Sequence, residues 1–139
     1  MSVEENKASV RRVYEEVWNK GNMEVVPELV SPDYYFKNVQ GEFKGHEGYM
    51  QMVKSIRDAF PDVHYTVDDV MGEGDWVTTQ LTMAGTFTGK FGDIEPTGKK
   101  FSIKQIVITR YVDGKSAEAR TLLDALSLYQ QLGITPPTG

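Results

Sequence analysis

Residues 76–87 read "WVTTQLTMAGTF", and their alternation decides the fold class of this chain. Val77, Thr79, Leu81, Met83, Gly85 and Phe87 occupy odd positions, whereas Thr78, Gln80, Thr82 and Thr86 occupy even ones. A period of two with one apolar face marks a half-buried strand, so the odd face should turn towards the core. Turn signals bound it on both sides, "GEGD" (72–75) and "GKFGDIEPTGK" (89–99), and "VDGK" (112–115) adds the Asp-Gly of a tight hairpin. The spacing predicts strands over 63–71, 75–88, 100–112 and 115–122, an antiparallel meander, then a helix over 125–132 ended by Gly133.

Upstream of His64 the period is about 3.6 instead. Val10, Val13, Tyr14, Val17 and Trp18 fall on one helical stripe, behind Ser2 and Glu5 at capping-box spacing, and the helix stops near Gly21. "NMEVVPELV" (22–30) reads as a short second helix capped by Asn22, and "SPDYYFKNV" (31–39) has the composition of a strand. A third helix begins after Gly45, carries Tyr49, Met52, Val53, Ile56 and Phe60 inward, and ends before Pro61. Helices followed by a sheet make an α+β domain with the helices on one sheet face. A single domain is expected over 1–139, with 134–139 a loose tail.

The chain has 139 residues, a formal charge of −5 with acids and bases interleaved, and no cysteine. No basic stripe exists to neutralise phosphates, so neither nucleic acid nor an anionic membrane is an expected partner. Disulfides and thiolate chemistry are excluded. The N-terminus lacks an apolar signal region and no apolar run approaches the roughly 18 residues of a membrane span, so a soluble cytoplasmic location is expected.

In the last strand the inward parity gives Ala117, Ala119, Thr121 and Leu123, against Glu118, Arg120 and Leu122 outward. Small inward residues on a curved sheet either interdigitate with large ones or leave a cavity. In 100–112, Phe101, Ile103, Val107 and Tyr111 share one face while Ile106 and Ile108 share the other. A sheet apolar on both faces predicts a homodimer through the outer one.

Asp124, in "TLLDALSLYQQLG" (121–133), has two readings. It can cap the last helix, or it can point into an apolar pocket where desolvation would raise its pKa into the range of proton transfer. His46 and His64 have no second histidine or cysteine at ligand spacing, so no metal is expected. Gln105 sits on the inward face, where its amide must pair within the protein or with a ligand carbonyl. Lys37 reads as an exposed lysine; buried, its amine could form a Schiff base with a carbonyl compound.

Four stretches, "VYEEVWNKGNMEVVPELVSPDY" (13–34), "GEFKGHEGY" (41–49), "GTFTGKFGDIEPTGKKFSIKQIVITRYVDGK" (85–115) and "LDALSLYQQLG" (123–133), cover nearly the whole chain. Together they resemble the SnoaL-like polyketide cyclases, or ester cyclases, of the nuclear transport factor 2-like superfamily. The resemblance implies a cone-shaped α+β barrel with a deep apolar pocket between curved sheet and helices, usually in a homo-oligomer. It also implies an intramolecular aldol closure of an aromatic polyketide ring, without metal or cofactor, in which an acid/base takes a proton from an activated carbon.

Carried over by position, Gln105 matches a pocket glutamine of those enzymes. Their catalytic aspartate falls on Thr121, and the histidine two positions after the glutamine is Val107. The histidine of a "GTHTG" hairpin is Phe87, another falls near Lys37, and a tryptophan near the end of the last strand is Arg120. Three functions stay open: a cyclase-like enzyme with Asp124 as base and Thr121 as its hydrogen-bonding neighbour, a protein that only binds a hydrophobic ligand, or a pocket remade, naturally or by engineering, around Lys37 or Asp124. The implied ligand is planar, carbonyl-bearing and largely apolar, contacted by Gln105, Phe87, Val107, Met83, Tyr35, Ala119 and Trp18.

Overall fold

A computed structural model describes residues 2–38 and 41–135. Helix α1 (Val3–Arg12) opens on the expected capping box: Ser2 Oγ accepts from the Glu5 backbone N–H at 3.1 Å, and the Glu5 carboxylate accepts from the Ser2 N–H at 3.2 Å. The chain continues as a π-helical segment over Val13–Asn19, passes a 3₁₀ turn at Met23–Val25 and forms the short α2 (Val26–Leu29). Strands β1 (Val30–Asn38) and β2 (Gly41–Lys44) precede α3 (Gly45–Ala59). Four long strands follow, β3 (His64–Glu73), β4 (Trp76–Thr86), β5 (Lys100–Val112) and β6 (Lys115–Leu123), and α4 (Ala125–Leu132) closes the fold. Gly133 ends α4 at φ 73°, a left-handed cap that glycine adopts without Cβ strain.

The strands form one curved, unclosed sheet in the order β2-β1-β6-β5-β4-β3. The predicted meander β3–β6 is antiparallel throughout, whereas β1 joins β6 in parallel. The expected inward parity of β4 holds, with Val77, Thr79, Leu81 and Met83 at most 4% exposed. In β5 the odd residues Phe101, Ile103, Val107, Thr109 and Tyr111 are buried, while Ile106, Ile108 and Val112 are exposed on the outer face. The core lies between the inward sheet face and the stripes of α1, the π-helical segment and α3.

Three features differ from the sequence-based expectation. Gly41–Lys44 forms a strand, pairing Phe36 with Phe43, and was not legible in the sequence because four residues are too few to display a period. The first helix leaves α geometry at Val13, which a stripe of apolar residues cannot reveal. Ile134, placed in the expected loose tail, is anchored: its N–H donates to Tyr129 O at 3.1 Å and its side chain packs on the core. Residues 136–139 of that expected tail lie outside the described residues.

Candidate functional site

A cavity of about 170 Å³ lies between the inward sheet face and the helices. Its floor is built by Met83 of β4, Gln105, Val107 and Thr109 of β5, and Ala119 and Thr121 of β6. The parity that turns these residues inward is the one that buries the core, and the small β6 side chains leave the space. Tyr14 and Trp18 of the π-helical segment and Tyr49, Met52 and Ile56 of α3 form the opposite wall. Phe91, Leu123 and Leu128 line it from the long β4–β5 connection and the β6–α4 junction.

The π-helical turn is held in place by two polar clasps. Arg57 Nη1 donates to the carbonyls of Trp18 and Asn19, both at 2.8 Å, which satisfies acceptors that a helix end leaves free. The Asn19 amide pairs both ways with the Tyr65 backbone, at 2.7 and 3.0 Å. Trp18 is thereby fixed against β3 and α3.

Five tyrosines, Tyr14, Tyr34, Tyr49, Tyr65 and Tyr111, line the cavity and are buried. Burial pushes all five phenols above their ordinary pKa, because desolvation penalises the phenolate. They are therefore neutral hydroxyls near pH 7, able to donate and accept hydrogen bonds. Gln105 Oε1 is buried and, among the described residues, has no hydrogen-bond partner. Asn6 Oδ1 and Thr79 Oγ1 share that state but lie outside the cavity lining. None of the described lining residues is Asp, Glu, His, Lys or Arg.

Of the residues singled out in the sequence, Gln105, Val107, Met83, Ala119, Trp18 and Thr121 meet around the cavity. Val107 and Thr121 are direct cross-strand partners. The positions where the resemblance places a histidine and an aspartate are thus adjacent on the floor, and here they carry an isopropyl group and a hydroxyl. Asp124 takes the cap geometry: its Oδ1 accepts from the Ser127 N–H at 3.1 Å, and it is exposed and outside the lining. Lys37 is exposed on β1, opposite Glu42, also outside the lining. Tyr35 lies at the surface opposite Lys44, away from the cavity. Phe87 is 0% exposed, packed on Phe60 at 5.7 Å between ring centroids, and does not reach the lining.

Three of the five tyrosines were visible in the sequence, as members of inward apolar faces, whereas Tyr34 and Tyr65 carried no such signal. Tyr14, Tyr49 and Tyr111 sit at inward positions, and the signal for more than packing is that a buried phenol needs a polar partner.

The profile of the family described as SnoaL-like polyketide cyclase matches residues 8–132. The aklanonic acid methyl ester cyclase DnrD of Streptomyces peucetius is 32% identical over 133 residues, 93% of this chain and 91% of the relative. The nogalonic acid methyl ester cyclase of Streptomyces nogalater is 30% identical over 120 residues, 84% of this chain and 89% of the relative. Among solved structures, TsrD from Streptomyces laurentii superposes with a TM-score of 0.82 at 29% identity, covering 93% of this chain and 98% of that one. A SnoaL-like structure from Jannaschia sp. CCS1 reaches a TM-score of 0.86 at 23% identity with 98% of both chains covered, a likeness of fold. With a profile match from α1 to α4 and two cyclases at 30% identity or more, this chain belongs to the SnoaL-like polyketide cyclase family.

Proposed function

We propose that this protein is a cyclase-like enzyme acting without a cofactor on an uncharged, planar, carbonyl-bearing polyketide ester. The observation that carries this reading is the chemistry of the cavity: apolar walls, five neutral phenols, and one buried amide oxygen without a partner in the described protein. A carboxylate or ammonium on the ligand would lose its hydration there with no opposite charge among the described lining residues to receive it. Gln105 orients the ligand, Thr121 offers a hydroxyl beside it, and hydrogen bonds to the developing enolate oxygen supply stabilisation in a low-dielectric site. Deprotonation falls to Asp124, the carboxylate one residue beyond Leu123 of the lining, which must leave its cap to act.

A second reading, binding without turnover, is favoured by one specific feature: no described lining residue is a base at neutral pH. Schiff-base chemistry at Lys37 has no such support, since that ammonium lies outside the cavity. The substrates named for the relatives, aklanonic and nogalonic acid methyl esters, are the first compounds to incubate with the protein, with loss of the open ester followed chromatographically. Turnover that falls at least about 100-fold in Asp124→Asn, fold intact, supports the enzyme with Asp124 as base. Binding of either ester with no conversion in the parent protein establishes the binding reading instead.

The proposal includes a homodimer through the outer sheet face. Ile106 and Leu122 are cross-strand partners there, at 43% and 77% exposure, and Ile108 follows on the same face at 38%. Adjacent exposed aliphatic side chains of this kind fit a second copy of the same face.

A further inference from the structure

The hydrogen bond between Trp18 and Tyr49 leaves one proton unaccounted for. Trp18 Nε1 donates to the Tyr49 hydroxyl oxygen at 2.8 Å in a buried setting. An indole N–H can only donate, so the phenol oxygen is fixed as the acceptor and its own proton must point away from Trp18. Among the described residues nothing accepts that proton. The ring cannot turn to find a partner easily. It stands edge-on to Tyr34 at 4.9 Å and 85°, and edge-on to Trp18 at 5.9 Å and 74°.

Tyr49 is 5% exposed and belongs to the cavity wall together with both of its ring neighbours. It also lies at the centre of the phenol cluster, since a charge on Tyr49 would raise the pKa of Tyr14, Tyr34, Tyr65 and Tyr111 alike. The hydroxyls of those four make no hydrogen bond among the described residues. Among the described residues, Tyr49 is the one of the five whose oxygen is held by a protein donor, and that donor draws its proton affinity down against the burial that raises it.

We propose that Tyr49 is the hydrogen-bond donor to the carbonyl oxygen of the cavity ligand, and that Trp18 is the positioning residue that aims its proton. The assignment rests on the reading of the cavity as a site for a neutral carbonyl compound, and it commits the ligand to an aryl ketone or ester whose oxygen faces α3. Gln105, with its acceptor oxygen unpartnered on the β5 side, then takes a hydroxyl or other donor of the ligand. Tyr49, its proton directed by Trp18, and Gln105, its oxygen unpartnered, then face opposite ends of the ligand from α3 and from β5. An oxygen that gains negative charge during ring closure would be bound more tightly by the same donor.

The test uses two planar probes of nearly equal size, 1-indanone and indane, with the whole protein. Titration gives both affinities, and infrared difference spectra with carbonyl-labelled indanone report the C=O stretch. In the parent protein indanone should bind more tightly than indane, with its carbonyl band shifted to lower frequency. Tyr49→Phe keeps the ring and removes the hydroxyl, so it should weaken indanone by about 3- to 10-fold, leave indane unchanged and return the band towards its unbonded position. Trp18→Phe keeps an aromatic ring but frees the Tyr49 oxygen, and should shift the band part of the way. The indane affinity doubles as the check that each variant is folded. Indane binding with an indanone band that survives Tyr49→Phe would overturn the assignment while the cavity reading stands. Failure of both probes to bind the parent protein would end the cavity reading and the Tyr49 assignment with it.

Discussion

Asp124 and Thr121 are three residues apart and answer different questions. Asp124 follows the local rule: an acid before an apolar-periodic segment receives the free N–H of the first turn, here from Ser127 at 3.1 Å. Thr121 follows the sheet, which puts it beside Val107 on the cavity floor. Refilling this pair tests whether the scaffold still supports acid/base chemistry. Thr121→Asp with Val107→His should add a carboxylate and an imidazole to a cavity whose described lining has neither. The new carboxyl should titrate above its ordinary value of about 3.9 in Thr121→Asp alone, because desolvation disfavours its charge. The added histidine should bring it back down when protonated. Carbon-detected NMR reads both values, and a gain in conversion of a methyl ester substrate with the double substitution would identify the floor as a competent reaction site. An unshifted carboxyl would mean the floor is wetter than its lining suggests.

Among the elements, the π-helical segment depends most on a distant residue. Its last carbonyls, those of Trp18 and Asn19, are held by Arg57 of α3 rather than by the next helical turn. The approach is close enough that a Cβ at Gly21, where φ is 73°, would come within 2.8 Å of Arg57 Nε. Arg57→Met removes two hydrogen bonds from a cation to partly buried carbonyls and should lower stability by about 2–3 kcal/mol, seen as a drop in the urea midpoint at unchanged m-value. It should also loosen Trp18, the residue that aims Tyr49. A loss well under 1 kcal/mol would show that solvent replaces the guanidinium at little penalty. The stripe of Val10, Val13, Tyr14, Val17 and Trp18 announced a helix, yet the widened turn at Val13–Asn19 was not legible. Apolar spacing fixes which side faces inward, whereas α and π geometry differ in which carbonyl each N–H reaches, a choice that one apolar stripe leaves open.

At the scale of the molecule, the outer sheet face carries the remaining prediction. If Ile106, Ile108 and Leu122 meet a second copy, the parent protein should sediment as a dimer at micromolar concentration, and Leu122→Glu with Ile106→Glu should sediment as a folded monomer. A monomeric parent at those concentrations would remove the dimer from the proposal. The four long strands, the inward parity of β4, the capping box at Ser2 and the Gly133 cap were all determined by the sequence alone. Each depends on neighbours within a few residues, through period, turn chemistry or a local N–H partner. The tertiary structure decided the rest. Parallel pairing of β1 with β6 joins segments more than 80 residues apart. Gathering five tyrosines around Gln105, and excluding Lys37, Tyr35 and Phe87 from the same wall, also required the fold. A residue's parity says which face it occupies, but only the curvature of the sheet and the placement of α3 over it determine which inward residues reach the cavity and which are sealed in the core.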